Sequence, residues 1–598
     1  GTNGGGGGHG GTGGNGRSAS NGGLFNDSSF VPVLLGSGGG SGARSAGGTG
    51  GGAVKIDVVG IFRLDGTITC NAGTGGDNTH GALGGGGGGG SILGTCGSFV
   101  GSGLLRANGA RGGQDASTGG NEDGGGGGGG GGRIVISYVN STFSNKSSAR
   151  VDGGSASGGF NPGVAGQVGT IGFLDRDDNT LEVYGGWRWE EQDRPFLFDQ
   201  LSSHRLSNNL GALIRCGTTS AFNVDVTGAV SLDVGTVWSA DGQDLVLDSS
   251  TLSANSTTFS FSGQSLEILS ELLASYSSCT LTTADLTLKG AHHSFTGGSA
   301  SGTNFVTRDM GEWSLHGGSG FDFQDYDVRC QTLNQDGGTN IGADARGHGS
   351  NVGGAKGGAS TNGGGGGHGG RGGNGRNAAN AGIFNDSGLL PDDFGSGGGS
   401  GTRSAGGVGG GLIRIVASGL ARVDGTISSN GSNGGDNTHG ALGGGGAGGT
   451  IRIKCATFAG GGLLQAEGAR GGQDASIGGN EDGGGGGGGG GRIVVRSKST
   501  TFSNEAGAEV SGGSASGGFN PGSAGGSGTV AFIRIADSAV TTVDNTKSDD
   551  LDLRLYRSWR WEPAVEVSFN YEKVTINPST SVVAGGGDVT ISAGLFEV

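Results

Sequence analysis

Gly124 to Gly132 is an unbroken run of nine glycines that ends in Arg133-Ile134-Val135-Ile136. Gly483 to Gly491 is a second run of nine, 359 positions later. A spacer would tolerate slippage in a run of one residue, because a flexible chain has no fixed length to keep. Two runs of equal length predict instead that each glycine is ordered, buried and packed at a defined place. That reading favours a repetitive, extended architecture over a disordered linker.

The offset of 359 extends far beyond the runs. His9 aligns with His368, Arg17 with Arg376, and Phe25-Asn26-Asp27-Ser28 with Phe384-Asn385-Asp386-Ser387. It holds to Phe173 and Phe532, then slips by 13, so that Trp187-Arg188-Trp189-Glu190 matches Trp559-Arg560-Trp561-Glu562. Four segments follow. Residues 1–179 are a glycine-rich block and 180–337 a Ser/Thr-rich segment. Residues 338–545 are the second glycine-rich block, and 546–598 begin a second segment of the other texture. Residue 1 is in phase with residue 360, which reads as a piece of a longer tandem array with uncapped ends. Uncapped repeats are expected to stack on copies of themselves, head to tail.

Within the first block a shorter cycle is visible. Gly51-Gly52 precedes Ala53-Val54-Lys55-Ile56, seven glycines precede Ser91-Ile92-Leu93, and nine precede Arg133; Thr170-Ile171 starts again, giving spacings of 38, 42 and 37 residues. Alternating apolar residues after each run mark short strands with one face inward. No amphipathic helix is legible, so helix should fall below about a tenth of the chain, against the usual third. In the middle segment, Val230-Ser231-Leu232, Leu245-Val246-Leu247, Leu266-Glu267-Ile268 and Leu286-Thr287-Leu288 recur at about 20 residues or less, like the rungs of a right-handed parallel β-helix. The fold class expected is all-β: an elongated parallel β-helix or solenoid, with glycine-rich blocks packed as polyproline-II-like strands. Ordering 151 glycines costs more backbone entropy than ordering other residues, so dense hydrogen bonding must offset it.

Only 7 prolines and no Gly-X-Y period exclude collagen. A net charge of -16 argues against nucleic acid as a partner. No apolar stretch is long enough for a transmembrane span. Six sequons, at Asn26, Asn140, Asn145, Asn255, Asn385 and Asn430, would accept covalent glycans on an extracellular or cell-surface protein. The six cysteines lack metal-type spacing. A Cys70–Cys96 disulfide is open to the first copy alone, since Ser429 replaces Cys70 in the second; free buried thiols are the alternative.

Three constellations bear on function. Asp115, Asn121, Glu122 and Asp123 recur as Asp474, Asn480, Glu481 and Asp482, oxygen donors in glycine-rich loops that suit Ca²⁺, or that cap turns instead. Trp187 and Trp189, with Trp559 and Trp561, would share one face of a strand, with Arg and Glu on the other. They could stack on glycans or form the core of a junction, and the junction is favoured. His9 and Arg133 also recur, but a lone His among glycines reads as a structural hydrogen-bonder. No nucleophile elbow, Walker loop or zincin helix is present, and the middle segment scatters its carboxylates where a polysaccharide-cleaving β-helix needs them clustered. No enzyme is expected.

Strings such as Gly-Gly-Gly-His-Gly-Gly, Val-Asp-Gly-Thr-Ile and Gly-Gly-Gly-Arg-Ile-Val, over residues 1–175 and 338–535, resemble the giant glycine-rich repeat proteins of protists and some bacteria. The resemblance implies a secreted or surface product without a defined enzyme activity. The expected function is a structural subunit of an extracellular filament, appendage or coat, such as a flagellar hair of a eukaryotic microbe, built by self-assembly. The rival is a glycan-binding adhesin.

Overall fold

The computed structural model describes the chain except residues 1–2, 18–21, 80, 116–124, 157–161, 208–210, 240–241, 377–379, 439, 474–482, 516–520, 537–549, 562–567 and 585–589. Among the described residues there is no α-helix, only three-residue 3-10 turns at Lys146–Ser148, Glu191–Asp193 and Glu505–Gly507. Everything else regular is β-strand, and nearly all pairing is parallel. The chain divides into two compact units, Gly1–Leu281 and Thr282–Val598, so the division falls inside the segment 180–337.

In the first unit the glycine cycle becomes a parallel ladder. Ala53 pairs with Ser91, Ser91 with Arg133, and Arg133 with Thr170, steps of 38, 42 and 37 residues. The second unit repeats it: Ile413 pairs with Ile451, Ile451 with Ile493, and Ile493 with Val530. In each unit the ladder turns back through one antiparallel hairpin, Thr170–Asp175 against Thr180–Tyr184 and Thr529–Ile535 against Asp550–Trp561. Parallel pairing then resumes. Leu181 pairs with Leu201, Leu201 with Val230, and Val230 with Leu252, steps of 20, 29 and 22 residues. The shorter recurrences in the sequence are two strands of one step, such as Phe222–Leu232, whose register shifts between Val226 and Ala229.

Inward residues of successive strands form the cores. In the first unit Ile92, Phe99, Ile134, Ile136 and Phe173 are fully or almost fully buried. In the second, Val494, Ile533, Leu553, Leu555 and Trp559 are. Phe99 stacks on Phe143 at 4.2 Å, and its counterpart Phe458 meets Phe502 at 4.5 Å with the rings tilted by 36°.

The glycine runs pack differently from the strands. Gly127 and Gly130 donate to the carbonyls of Gly4 and Gly7, at 3.0 and 2.8 Å. Gly128 and Gly131 donate to Val164 and Gln167, at 2.9 and 2.8 Å. Gly129 and Gly132 donate to Ala110 and Ala107, at 2.8 and 2.7 Å. The direction of donation thus rotates with a period of three, the period of a polyproline-II strand. The carbonyls are used in the same rotation. Gly127 and Gly130 accept from Gly86 and Gly89, Gly128 and Gly131 from Gly14 and Gly11, and Gly129 from Gly154. The run is therefore enclosed by six neighbouring segments, three accepting and three donating. The second copy repeats the pattern, with Gly486 and Gly489 donating to Gly363 and Gly366, and Gly487 and Gly490 to Ser523 and Gly526. Gly125–Gly132 and Gly483–Gly491 are buried throughout, as equal run length implies. The reason glycine is required is proximity. A Cβ on Gly128 would lie 1.9 Å from the Gly154 carbonyl oxygen, and one on Gly129 1.8 Å from that of Gly87.

Candidate functional site

The repeated polar residues converge on a buried cluster in each unit, and it starts from His9. The ring lies fully inside the glycine block. Its Nε2 is 2.9 Å from the Ser91 hydroxyl, which itself donates to the Leu34 carbonyl at 2.7 Å. Ser91 has one proton, so it must accept from His9 Nε2–H. The second copy makes the same chain: His368 Nε2 to Thr450 Oγ1 at 3.0 Å, and Thr450 on to the Asp393 carbonyl at 2.8 Å. A neutral ring protonated on Nε2 leaves Nδ1 as an acceptor. In the first copy the Asn26 side-chain amide is 2.7 Å from it, and a half-turn of that amide presents its NH₂.

Burial is the main cause that lowers the proton affinity of His9 below its ordinary value, with the Arg133 charge adding to it and the Asp27 charge opposing. Burial likewise depresses His368, and takes His293, which donates to the Lys289 carbonyl, down to about 4. Below pH 6.5 the unfolded chain takes up protons that these folded rings refuse, so stability falls with the pH through the window from 6.5 to the folded values. For His293 alone the loss is on the order of 3 kcal/mol at pH 4. Glu190 and Asp193, raised chiefly by burial, act with the opposite sign. The difference between wild type and His293→Gln isolates the imidazole. The melting temperature of wild type relative to the variant should fall steadily from pH 7 to pH 4.5, and a flat difference would contradict a neutral buried ring.

Arg133 is the second element, with its side chain 0% exposed. Its Nε and Nη2 donate to the Asn26 carbonyl at 3.0 and 2.8 Å, and Nη1 donates to Ser29 and Thr170 at 2.6 and 3.4 Å. The remaining Nη2 proton goes to Glu190 Oε1 at 2.8 Å. All five guanidinium protons are therefore used by the protein itself. Arg188 reaches the same Glu190 oxygen at 3.3 Å, with its guanidinium 3.1 Å from the centre of the Phe25 ring. Asp193 accepts from the Ser28 hydroxyl and from the Ser29 amide. The cluster pins the Phe25-Asn26-Asp27-Ser28 loop onto the ladder. The twin does the same: Arg492 donates to the Asn385 carbonyl and Thr529, and Arg560 sits 4.2 Å from the Phe384 ring. Glu562 lies outside the described residues.

Arg188 and Glu190 lie on the strand face opposite the tryptophans, and both faces of Gly186–Glu190 are buried, because the loop covers the second. Trp187 packs edge-on to Phe30 at 4.9 Å, and Trp189 stacks with Trp238 at 6.3 Å. Trp187, Trp189 and Trp559 are buried in the interior. The side chain of Trp561 is outside the described residues.

Of the residues expected to bind calcium, only Asp115 is among the described residues. Asp115 accepts from the Gly81 amide at 3.1 Å, while Asn121, Glu122, Asp123, Asp474, Asn480, Glu481 and Asp482 lie outside the described residues. Among the described residues no three His, Cys, Asp or Glu side chains group as metal ligands. Nearby Asp77 takes both Arg111 terminal nitrogens at 2.8 Å and the Gln114 amide at 2.7 Å, a turn cap repeated by Asp436 and Arg470. That pairing holds both carboxyls below the usual carboxylate range.

The Cys70–Cys96 bridge is not formed, and all six cysteines are free and buried. Cys70 accepts from Gly90, whereas Cys96 pairs with Val58 six residues further along the extended chain. That span is about 20 Å, beyond the reach of a disulfide. Burial pushes the Cys330 thiol up to about 12.

Among the sequons, Asn26, Asn140 and Asn255 are exposed, though the Asn26 amide is held 2.7 Å from His9 Nδ1. Asn145 donates its amide to the Ser102 and Gly103 carbonyls, and Asn385 donates to Asp393, so a glycan there would displace those bonds. Asn430 accepts from the Glu467 amide with its oxygen.

One group escaped the sequence reading: a row of cations, Arg414, Arg452, Lys454 and Arg496, on successive strands of the second ladder. The signal was available in the copies, which carry Lys55, Leu93, Thr95 and Ser137 at the same positions. Comparison of the chain with protein-family models, curated proteins and solved structures finds no match.

Proposed function

We propose that this chain is a structural protein, a β-solenoid subunit of an extracellular filament, surface appendage or coat, without a catalytic role. The observation that carries the reading is the six-neighbour enclosure of the glycine runs, made twice with the same partners. Such packing consumes nearly every backbone donor and acceptor and leaves few side chains for chemistry. It supplies stiffness from main-chain hydrogen bonds alone. The buried polar clusters fit the same role, since all five Arg133 guanidinium protons are used within the protein. Burial of Trp187, Trp189 and Trp559 weighs against an aromatic platform, one of the two features, with the Asp/Asn loops, that an adhesin would use. Asn140 and Asn255 are the sequons best placed to carry glycans.

The contact for self-association is the strand Ala53–Leu64. Among the described residues it pairs on one edge only, with Ser91–Gly101, and Val59 and Ile61 are exposed. The equivalent strand Leu412–Val423 is covered on that edge by Gly320–Gln335, with Arg414 bound to Asp325 at 2.6 Å. Lys55 stands where Arg414 does. A long apolar open edge is a template for another strand, and the partner we propose is a segment like Gly320–Gln335, from a second copy or from a neighbouring repeat of a longer chain. Sedimentation velocity and electron microscopy at micromolar concentration should show concentration-dependent oligomers, and Val59→Lys with Ile61→Lys should shift them to monomer. A wild-type chain that stays monomeric across that range overturns the assembly.

A further inference from the structure

The cation row of the second ladder encloses a small surface cavity lined by Arg329, Arg414, Arg452, Lys454 and Arg496, with Asp327 as its one carboxylate. Register explains the convergence. Asp327, Arg414 and Arg452 are successive in-register partners, and so are Arg329, Val416, Lys454 and Arg496. The two columns are two residues apart along their strands, so they share a face, while Ile413, Ile415, Ile451 and Ile453 fill the core on the other. Neighbours in a column are about 4.8 Å apart. Like charges stacked at that distance are unfavourable.

The fold does not need them. The first copy builds the same ladder, with the same 38, 42 and 37 steps, from Lys55, Leu93, Thr95 and Ser137. Carboxylates at the margin steady the row: Asp325 on Arg414, Asp392 on Arg414 and Arg452, and Asp550 on Arg496 at 3.0 Å. They leave one buried group unmet. The Arg496 side chain is 6% exposed, yet among the described residues its Nε has no hydrogen-bond partner. Arg452 is also less basic than an ordinary arginine, first because it is desolvated and then because Arg414 and Arg496 repel it. A charge arrangement that costs stability, is absent from the sister copy and points into a cavity fits a ligand of opposite sign.

We propose that this cavity binds a tetrahedral oxyanion, sulfate or phosphate, free or carried as an ester on a larger molecule. Guanidinium groups present planar paired donors to such oxygens, and Lys454 adds a compact charge. The proposal does not rest on the structural reading above, since a filament subunit and a monomeric protein could equally hold the site.

The test is calorimetric titration of the full chain, at low ionic strength, with sodium sulfate, sodium phosphate, dextran sulfate and uncharged dextran. Binding of any of the first three, weakening as salt is raised, is expected, with none to dextran. Inorganic ions binding would show that the free anion suffices; dextran sulfate binding alone would assign the ester. Arg452→Leu with Lys454→Thr installs the residues of the first copy, which that ladder already accommodates, and should weaken binding by about tenfold or more. Arg329→Gln, at a half-exposed position, is the second variant should the first fold poorly, and should weaken binding in the same direction. No binding by any anion, or affinity unchanged in a folded variant, overturns the site.

Discussion

Gly128→Ala is expected to destabilise the first unit at or above the top of the range for overpacked cores, ~1–3 kcal/mol, although it adds a single methyl group. The new Cβ would sit 1.9 Å from the Gly154 carbonyl oxygen, and the obstacle is backbone, so no rotamer can relieve it. Moving the segment away would lengthen Gly128 N–H to Val164 and Gly129 N–H to Ala110 together. Gly487→Ala, whose Cβ would meet the Gly513 oxygen at 2.0 Å, should do the same to the second unit. Gly52→Ala is the control, because nothing lies within 4 Å of its Cβ; there the entropic gain from losing a glycine leaves stability unchanged or slightly higher. Thermal melting should show losses of several degrees for Gly128→Ala and Gly487→Ala, at ~2–4 °C per kcal/mol. If Gly128→Ala melts like Gly52→Ala, the runs are not packed as described.

Arg133→Met is expected to cost about 3–5 kcal/mol, the usual penalty for removing one partner of a buried ion pair. It would strand Glu190 in the interior and leave the Asn26 carbonyl without both of its guanidinium donors. Adding Glu190→Met should restore much of the loss, since a buried pair replaced by apolar residues of similar size is often near neutral. Chemical denaturation of the single and double variants measures this directly. A double variant no more stable than Arg133→Met would mean that the loop contacts, not the charge, dominate.

The polar residues show how far sequence reading reaches. That His9, Asn26 and Arg133 recur was plain, and so was the structural role of a lone His. That they meet was not, because 82 residues separate His9 from Ser91 and 107 separate Asn26 from Arg133. In the Trp-Arg-Trp-Glu strand, alternation placed Arg and Glu on the face opposite the tryptophans, but alternation cannot see what covers a face. A loop from residues 24–35 covers the second face, and it changes Arg188 and Glu190 from surface charges into buried ones. The Cys70–Cys96 pairing failed for a related reason: proximity in sequence says nothing about level along a ladder.

The sequence by itself determined the rhythm. Glycine runs of fixed length, alternating strands and the 38, 42 and 37 spacings appear unchanged as parallel register, because strand pairing and side-chain alternation are local properties written residue by residue. Only the tertiary structure decided which six segments surround each glycine run, and so which glycines tolerate no Cβ. A glycine carries no side chain to advertise its neighbours. Its N–H and C=O take whichever partners the rest of the chain brings, and for Gly127 and Gly130 those are Gly4 and Gly7, at the other end of the block.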